Sequence, residues 1–260
     1  MNILITGGNG YIAKSLYVNL KDKHNITSIN RKNFDLTDYH DTCSFFNKNK
    51  FDVVLHTAIV GGTRLKKDED NVFEQNITMF NNLVANKNYF SKLITFGSGA
   101  ETFHGETLYA NSKREISKQI LDYSNFYNLN IFGVFDYNEL NTRFIKSNII
   151  RYIKKEPMLI HTNKIMDFFY MKDLINLVDH YIQNDNLVKT VNCSYETKST
   201  LVNIAKFINT LSNYEVPINI NNKDCLEFYC GNSDLPIEII GLEQGILDTY
   251  KIIKNNSCII

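Results

Sequence analysis

The sequence predicts an α/β fold, a doubly wound parallel sheet with helices on both faces and a small C-terminal lobe. In the first half of the chain, short apolar runs alternate with amphipathic helical segments, which is the pattern of parallel strands joined by helices. The length of 260 residues suits one large domain with a small appendage. After about Phe135 the alternation loosens, and three prolines interrupt the rest of the chain.

The individual elements follow from these runs in order. Apolar runs bounded by glycines or polar turns predict strands at residues 2–6, 26–29, 53–56, 92–96 and 129–135. Apolar residues at helical spacing predict helices between them at 11–20, 72–85 and 109–127. Further on we predict a helix at 142–154, a strand at 158–161, and helices at 173–182, 200–211 and 242–253. We therefore divide the chain into a first domain, 1–140, and a C-terminal lobe, 141–260, interleaved with the core.

The charge balance and the cysteines exclude several classes of protein. There are 28 Lys and Arg side chains against 28 Asp and Glu, so the formal net charge is zero and no nucleic-acid partner is expected. No apolar run reaches the ~18 residues that a spanning helix needs, so we expect no membrane partner. The five cysteines form an odd set without a CxxC pair, which is typical of reduced thiols in a cytoplasmic protein, and we expect no metal site.

A glycine pattern directly follows the first strand, with the spacing Gly7-x-x-Gly10-x-x-Ala13. Gly7 permits the tight turn, Gly10 lets a pyrophosphate approach the backbone, and Ala13 allows the helix to pack closely on the strand. Tyr11 and Ile12 open the helix, whose free amide groups favour phosphate. Because the pattern follows a strand and opens a helix, it predicts a dinucleotide site on a Rossmann unit.

Two later segments extend this site, and the end of the second strand indicates which cofactor it binds. Asp35 and Leu36 follow the second strand at a distance suited to touching adenine, and Thr57 and Ala58 end the next buried strand. The second strand ends without the acid that usually binds the ribose hydroxyls of NAD, and Arg31 stands there instead. An arginine is suited to bind a 2′-phosphate. The predicted cofactor is therefore NADP, used as NADPH, ahead of NAD.

Tyr109 and Lys113 form a YxxxK pattern on a predicted helix, where residues four apart share one face. A free phenol has a pKa of about 10, and a nearby ammonium and an oxidised nicotinamide both lower that pKa. Tyr109 can then exchange a proton near neutral pH, while Lys113 would also hold the nicotinamide ribose. Ser98 ends the strand before this helix, and its hydroxyl would hold a carbonyl oxygen while Tyr109 protonates it.

These residues together resemble the extended short-chain dehydrogenase/reductases, and within them the NAD-dependent epimerase/dehydratase family. The shared order comprises the Gly7-x-x-Gly10-x-x-Ala13 pattern, Asp35-Leu36, His56-Thr57-Ala58, Asn76, Ser98 and Tyr109-x-x-x-Lys113. Residues 167–174, 191–194 and 242–246 are similar to segments of the sugar-nucleotide branch, which includes GDP-fucose synthase-like reductases. The resemblance implies a nucleotide-sugar substrate, bound with the help of the C-terminal lobe.

The resemblance also implies a homodimer, since this family commonly pairs through the helices that here carry Asn76 and Tyr109. Apolar side chains on the first of these helices either form that surface or belong to the core. They are Phe73, Ile77, Phe80 and Val84.

Two departures from the family's pattern concern the substrate. Ten residues separate Ser98 from Tyr109, about half of the usual number, so a loop beside the active site is expected to be missing. The arginine that often binds phosphate in the family's "RDF" segment is Met166 here. Arg143, Lys146 and Asn148 either replace it or belong to a solvated helix face.

The residues after Ser98 rank the reactions that the resemblance implies. Dehydratases of this branch carry an Asp-Glu pair directly after the Ser position, where this chain has Gly99 and Ala100. Epimerase-reductases of the fucose synthase type carry a Cys two residues past the Ser, where this chain has Ala100. Glu101 lies one position too far and is interpreted as a surface carboxylate. Carbonyl reduction needs only Ser98, Tyr109 and Lys113 with the nicotinamide hydride, so reduction of a nucleotide-linked 4-keto-6-deoxy sugar is favoured. A 4-epimerase needs the same three residues and stays an alternative, as does a non-catalytic dinucleotide sensor.

Overall fold

The computed structural model describes residues 1–63, 66–103 and 105–257. Its strands are β1 Asn2–Thr6, β2 Asn25–Ser28, β3 Phe51–His56, β4 Phe90–Ser98, β5 Phe126–Ile131, β6 Val134–Phe135, β7 Met158–Met166, β8 Phe169–Tyr170, β9 Thr190–Cys193 and β10 Ile218–Tyr229. Its α-helices are α1 Tyr11–Leu20, α2 Tyr39–Lys48, α3 Val72–Ala85, α4 Ala100–Phe103, α5 Leu108–Ile120, α6 Phe144–Ile153, α7 Met171–Gln183, α8 Leu201–Asn209 and α9 Leu242–Ser257. Within these residues, no helix has both the length and the apolar character needed to cross a membrane.

A six-stranded sheet in the order β2-β1-β3-β4-β5-β9 forms the centre of the fold. β1 pairs in parallel with β2 on one side and with β3 on the other, and β3 pairs in parallel with β4. The strand order therefore reverses at β1. Such a reversal leaves a crevice outside the carboxyl ends of the two strands that flank it, where ligands of open α/β sheets bind. The predicted doubly wound parallel sheet is confirmed.

The chain divides into two compact units, of which the first contains Met1–Asn130 and Leu177–Val191. The strands of this unit are apolar on both faces because helices cover both, so Ile3, Leu4 and Ile5 of β1 are all fully buried. Leu4 belongs to a core that the helices complete with side chains such as Phe46 and Phe80. This packing holds the strand ends that carry the predicted site residues.

The second unit contains Ile131–Asn176 and Asn192–Ile260 and has a core of its own. In it β7 pairs in parallel with β10, and β6 pairs in parallel with β8. Tyr152 of α6 is fully buried, and its hydroxyl donates to the Tyr214 carbonyl at 2.9 Å. Apolar side chains of α6, α8 and α9 meet in this core, so the C-terminal helices are held by tertiary packing.

The boundary between α5 and β5 differs from the prediction. The predicted helix runs on to residue 127, but α5 ends at Ile120 and β5 begins at Phe126. Turn hydrogen bonds close the helix, among them one from the Tyr123 amide to the Ile120 carbonyl at 3.2 Å. Phe126 and Tyr127 are then buried in the sheet. Aromatic residues favour strands, and here that preference outweighs the apolar spacing that suggested a longer helix.

Candidate active site

A cavity of about 490 Å³ lies in the first unit at the carboxyl ends of β1, β2 and β3, and this volume is typical of cofactor sites. Seven of the predicted dinucleotide residues line it, namely Gly7, Gly10, Arg31, Asp35, Leu36, Thr57 and Ala58. Tyr11 and Ile12 open α1 next to Gly10 and are not among the lining residues. The lining also includes residues that were not predicted to bind the cofactor, namely Thr6, Asn9, Ile29, Asn30, Phe34, Ile59, Val60, Gly61 and Met79.

The turn from β1 into α1 is built for close approach of another group to the backbone. Gly7 has a φ of +68°, and a Cβ there would lie 2.7 Å from the Ala58 Cα. Gly10 caps α1 without a side-chain acceptor, so no side chain of the cap satisfies the first amides of the helix. An anion bound at this end of the helix would satisfy them. These features fit the pyrophosphate of a dinucleotide.

A hydrogen-bond network ties the ends of β1 and β3 together under this cavity. The Thr6 hydroxyl lies 2.9 Å from His56 Nδ1 and accepts the Ala58 amide at 3.2 Å, while the Thr57 hydroxyl donates to the Thr6 carbonyl at 2.6 Å. Burial, and then the nearby charge of Lys113, lower the pKa of His56 to about 3. His56 is therefore a neutral core residue, and its role here is to fix the strand ends.

Arg31 and Asp35 both line the cavity, and each makes a side-chain hydrogen bond to a neighbouring residue. Arg31 Nη2 donates to the Gln75 side chain at 3.0 Å. Asp35 accepts hydrogen bonds from the amide and the hydroxyl of Thr37 at 2.9 and 2.8 Å. The hydrogen bond from the Thr37 amide is the main reason why the pKa of Asp35 is lowered, and the charge of Arg31 adds to the effect. Arg31 thus presents a positive charge from a fixed position.

Ser98 ends β4, and Tyr109 and Lys113 lie on α5. Thr107 caps α5 by accepting the Ala110 amide at 3.2 Å, which starts the helix one residue before Tyr109. Lys113 Nζ donates to the Phe96 carbonyl of β4 and lies 5.9 Å from the centre of the Tyr109 ring. Burial lowers the pKa of Lys113 to about 8, against an opposing effect of Glu101.

The loop after β3 reaches Tyr109 through a glycine. Gly62 has a φ of +70°, and a Cβ there would lie 2.7 Å from two carbons of the Tyr109 ring. The Gly62 amide donates to Asp68 Oδ1 at 2.9 Å, which holds the loop against the ring. Arg64, which continues this loop, lies outside the described residues. Asn76 of α3 joins the same region, since its Nδ2 donates to the Val60 carbonyl and the Ser112 hydroxyl at 3.0 Å each.

Glu101 is not the surface carboxylate that the sequence suggested. It is only partly exposed, and its Oε1 accepts the Ser98 amide at 2.8 Å while its Oε2 accepts the Ser117 hydroxyl at 2.6 Å. Burial raises its pKa, and these two hydrogen bonds and Lys113 oppose that rise. The short helix α4 directs the Glu101 side chain back toward the end of β4. The distance of Glu101 from Ser98 along the sequence does not reveal this change of direction.

In the second unit, the segment similar to "RDF" is engaged internally. Met166 is buried in the apolar core of this unit, so this position offers no phosphate ligand. Asp167 accepts Lys198 Nζ on both oxygens at 3.1 Å and also accepts the Gly231 amide at 2.8 Å. Asp173 accepts the Tyr195 hydroxyl at 2.5 Å and two amides of the turn before α9. Both carboxylates hold this unit together.

The candidates for replacing the missing arginine differ in their surroundings. Asn148 is buried, and its side chain bonds both the amide and the carbonyl of Leu159, which ties α6 to β7. Arg143 and Lys146 contact Glu139, whose pKa burial raises to about 8. The structure thus gives Asn148 a packing role, whereas Arg143 keeps a half-exposed guanidinium.

The sequence also matches a family model. Residues 3–194 match the model of the NAD dependent epimerase/dehydratase family. The chain belongs to this family. The matched residues make up well over half of the chain and contain every predicted dinucleotide and catalytic residue. As a member of this family, the protein is an NAD(P)-dependent oxidoreductase, and the resemblance drawn from its motifs is confirmed. No curated protein is similar enough to the sequence to count as a match.

Solved structures with the same fold include proteins of several activities. One is a GDP-mannoheptose C4 reductase from Campylobacter jejuni with NADP bound (16% identity, TM-score 0.81, 97% of this chain and 98% of that chain). A GDP-L-fucose synthetase from Naegleria fowleri bound to NADP is 18% identical with a TM-score of 0.75, over 98% of this chain and 93% of that chain. A UDP-glucuronic acid 4-epimerase from Bacillus cereus in complex with NAD is 17% identical with a TM-score of 0.76, over 98% of this chain and 100% of that chain. At these identities the likeness establishes the shared fold.

Proposed function

We propose that this protein reduces a nucleotide-linked 4-keto-6-deoxy sugar to the alcohol, with NADPH as the reductant. The observation that carries the proposal is the grouping of Ser98, Tyr109 and Lys113 around the end of β4, with Gly99 and Ala100 next to Ser98. Neither of these two positions offers a group that removes water or moves a proton on carbon. Similarity to a GDP-mannoheptose C4 reductase with NADP bound supports the same class of reaction.

The chain's own groups supply the polar part of this reaction. When bound, NADPH supplies the hydride. The Ser98 oxygen accepts the Ala100 amide at 3.1 Å, so its own hydrogen can be donated to the carbonyl oxygen of the substrate. Tyr109 donates a proton to that oxygen. The ammonium of Lys113 favours the phenolate that this transfer leaves on Tyr109.

Isotope transfer tests the reaction. With NADPH carrying deuterium at its transferable position and a GDP- or UDP-linked 4-keto-6-deoxyhexose, deuterium should appear at carbon 4 of the sugar and NADP⁺ should form in equal amount. Solvent deuterium should enter the neighbouring carbons no faster than without the enzyme. Interconversion of two alcohols without net NADPH consumption would establish a 4-epimerase instead, and tight dinucleotide binding without any turnover would establish a sensor.

We propose NADPH as the preferred reductant because of Arg31. Arg31→Ala is expected to weaken NADPH binding by about 10- to 100-fold, since charge-assisted hydrogen bonds contribute about 1.5–3 kcal/mol. NADH has no 2′-phosphate, so the affinity of Arg31→Ala for NADH should stay within about twofold of the wild-type affinity. Calorimetry with both cofactors measures the two effects, and Lys32→Ala is the control because it removes the neighbouring exposed charge. Equal weakening of NADH and NADPH would contradict the role of Arg31.

Gly62→Ala is expected to lower kcat at least ~10-fold, because the new Cβ would push the Tyr109 ring out of place and small misplacements are costly. Gly105→Ala is the matched control. Gly105 also has a positive φ, +53°, so both variants carry backbone strain, but a Cβ there would meet no atom within 4 Å. If both variants lose the same activity in steady-state assays, the loop does not act through Tyr109.

The family also commonly forms dimers through the helices that correspond to α3 and α5, and we propose a homodimer. Phe80 does not contribute to the surface, because it is fully buried in the core. Phe73, Ile77 and Val84 are only partly buried on α3 and supply the apolar surface for this contact. A monomeric mass in solution scattering at micromolar concentration would contradict the dimer.

A further inference from the structure

A partly buried carboxylate, that of Glu101, supports the end of β4. Glu101 Oε1 accepts the Ser98 amide at 2.8 Å, and Oε2 accepts the Ser117 hydroxyl at 2.6 Å. Its main chain is fixed as well, since Arg114 Nη1 donates to the Glu101 carbonyl at 2.8 Å. Glu101 therefore links the strand that carries Ser98 to the helix that carries Tyr109 and Lys113.

The neighbouring residues are shaped for this link. A Cβ at Gly97 would lie 2.7 Å from Glu101 Oε1, so the absence of a side chain there lets the carboxylate reach the strand backbone. On the other side, Ser117 accepts Asn128 Nδ2 at 2.7 Å, and Asn128 Oδ1 accepts the Thr95 hydroxyl at 2.8 Å. The chain of bonds thus runs from β4 through α5 to β5 and returns to β4. A carboxylate held at so many points has little freedom to move.

The direction of the Ser98 hydroxyl depends on the same backbone. Ser98 Oγ accepts the Ala100 amide at 3.1 Å, so the hydroxyl is oriented by residues on both sides of Gly99. If the Ser98 amide lost its acceptor, the end of β4 could rotate and the hydroxyl would turn with it. A hydroxyl that must meet a carbonyl oxygen within a few tenths of an ångström is sensitive to such a rotation.

We propose that Glu101 is a positioning residue for Ser98. By accepting a hydrogen bond from the Ser98 amide, it fixes the backbone so that the Ser98 hydroxyl points to the substrate carbonyl. This inference rests on the proposed reductase function. Glu101 touches neither the substrate nor the cofactor in this role, and it acts through the backbone of Ser98. Its carboxylate also lies close enough to Lys113 to oppose the effect of burial on that ammonium.

Three variants test the role of Glu101. Glu101→Gln keeps an acceptor for the Ser98 amide and can donate to Ser117, whereas Glu101→Ala removes both contacts. Glu101→Ala should lower kcat by about 10- to 100-fold while the KM for NADPH stays within about twofold, and Glu101→Gln should restore kcat to within about threefold of the wild type. Glu238→Ala is the control, because its carboxylate is exposed and belongs to the second unit. Equal losses in Glu101→Gln and Glu101→Ala, or wild-type kcat in Glu101→Ala, would overturn the proposal.

Amide hydrogen exchange separates this inference from the proposed function. The Ser98 amide should exchange faster in Glu101→Ala than in the wild type and Glu101→Gln, whether or not a substrate is turned over. If the wild type reduces no keto sugar, the proposed function fails while exchange still reports on the contact. If Glu101→Ala does not fold, Ser117→Ala is the alternative, because it removes the hydrogen bond from Ser117 to Glu101 Oε2. This variant should exchange the Ser98 amide faster than the wild type and should have a lower kcat. Unchanged exchange at Ser98 in these variants would overturn the role of Glu101.

Discussion

Tyr109→Phe is expected to lower turnover at least ~100-fold, because it removes the hydroxyl that we propose as the proton donor to the substrate oxygen. The ring is kept, so its packing against Gly62 and its distance from Lys113 should not change. Tyr109 does not line the dinucleotide cavity, and NADPH affinity should therefore stay within about twofold, well below a tenfold step. Loss of kcat without loss of cofactor binding is the signature of a group that acts in the chemical step.

Single-turnover assays and cofactor titration measure these two effects in the same preparation. Tyr17→Phe is the matched control, since it removes a phenol hydroxyl from an exposed position on α1. It should behave as the wild type in both measurements. Near-normal turnover in Tyr109→Phe would remove the central element of the proposed mechanism.

The elements around the dinucleotide cavity are those that the sequence predicts best. The bounds of β1, α1 and α3 agree with the prediction, because each combines an apolar run of clear period with a glycine pattern or a long amphipathic face. The same local signals placed Gly7, Thr57 and Ala58 at one cavity. The location of a site that is formed by the backbone at strand ends can therefore be predicted largely from the order of residues along the chain.

α2 and β10 are two of the elements that the sequence analysis did not predict. α2 buries only Thr42 and Phe46 and so lacks a broad apolar stripe, although Asp38, which accepts the Asp41 amide, is a capping signal that a search for N-caps would have found. β10 was not predicted because a polar run at residues 221–224 interrupts its apolar residues. It is a strand because its backbone pairs with β7, and no residue pattern within the segment expresses that pairing.

Buried charges are the other class that the sequence did not reveal. Lys92 stands in β4, most of whose residues are buried, and its Nζ donates to the carbonyls of Tyr181, Ile182 and Asn184. Glu101 is a similar case, since its partners are an amide three residues back and a hydroxyl on another helix. The free-energy cost of burying such a charge is offset by hydrogen bonds that form only in the folded chain. Composition and spacing do not show these partners, so they assign charged residues to the surface.

Lys113→Met is expected to remove activity and to stabilise the protein at the same time. Without the ammonium, the phenolate of Tyr109 loses its neighbouring positive charge, and turnover should fall at least ~100-fold. If Lys113 also holds the nicotinamide ribose, as the family resemblance implies, NADPH affinity should fall as well. In the wild type the activity should decline as the pH rises through about 8, where Lys113 loses its proton.

The stability effect has the opposite sign because burial disfavours the charged form of Lys113. Its pKa is about 8 in the folded state against 10.5 for a free lysine, so the ammonium destabilises the native state fully below pH 8. Between these two values the native lysine is neutral while the unfolded one still binds a proton, so stability of the wild type rises with pH. Lys113→Met should raise the melting temperature by at least ~2 °C at neutral pH, and the gain should shrink as the pH approaches 10.5.

Urea unfolding at neutral and alkaline pH, together with turnover assays, separates the two effects of Lys113. Lys118→Met on the same helix is the control, because Lys118 is exposed and its replacement should change neither stability nor turnover by much. A Lys113→Met variant that loses activity and gains stability only below the lysine's free pKa would show that the fold retains a costly buried charge for its chemistry. A variant that is less stable than the wild type at neutral pH would instead show that the bond from Lys113 to the Phe96 carbonyl outweighs the cost of burying the ammonium.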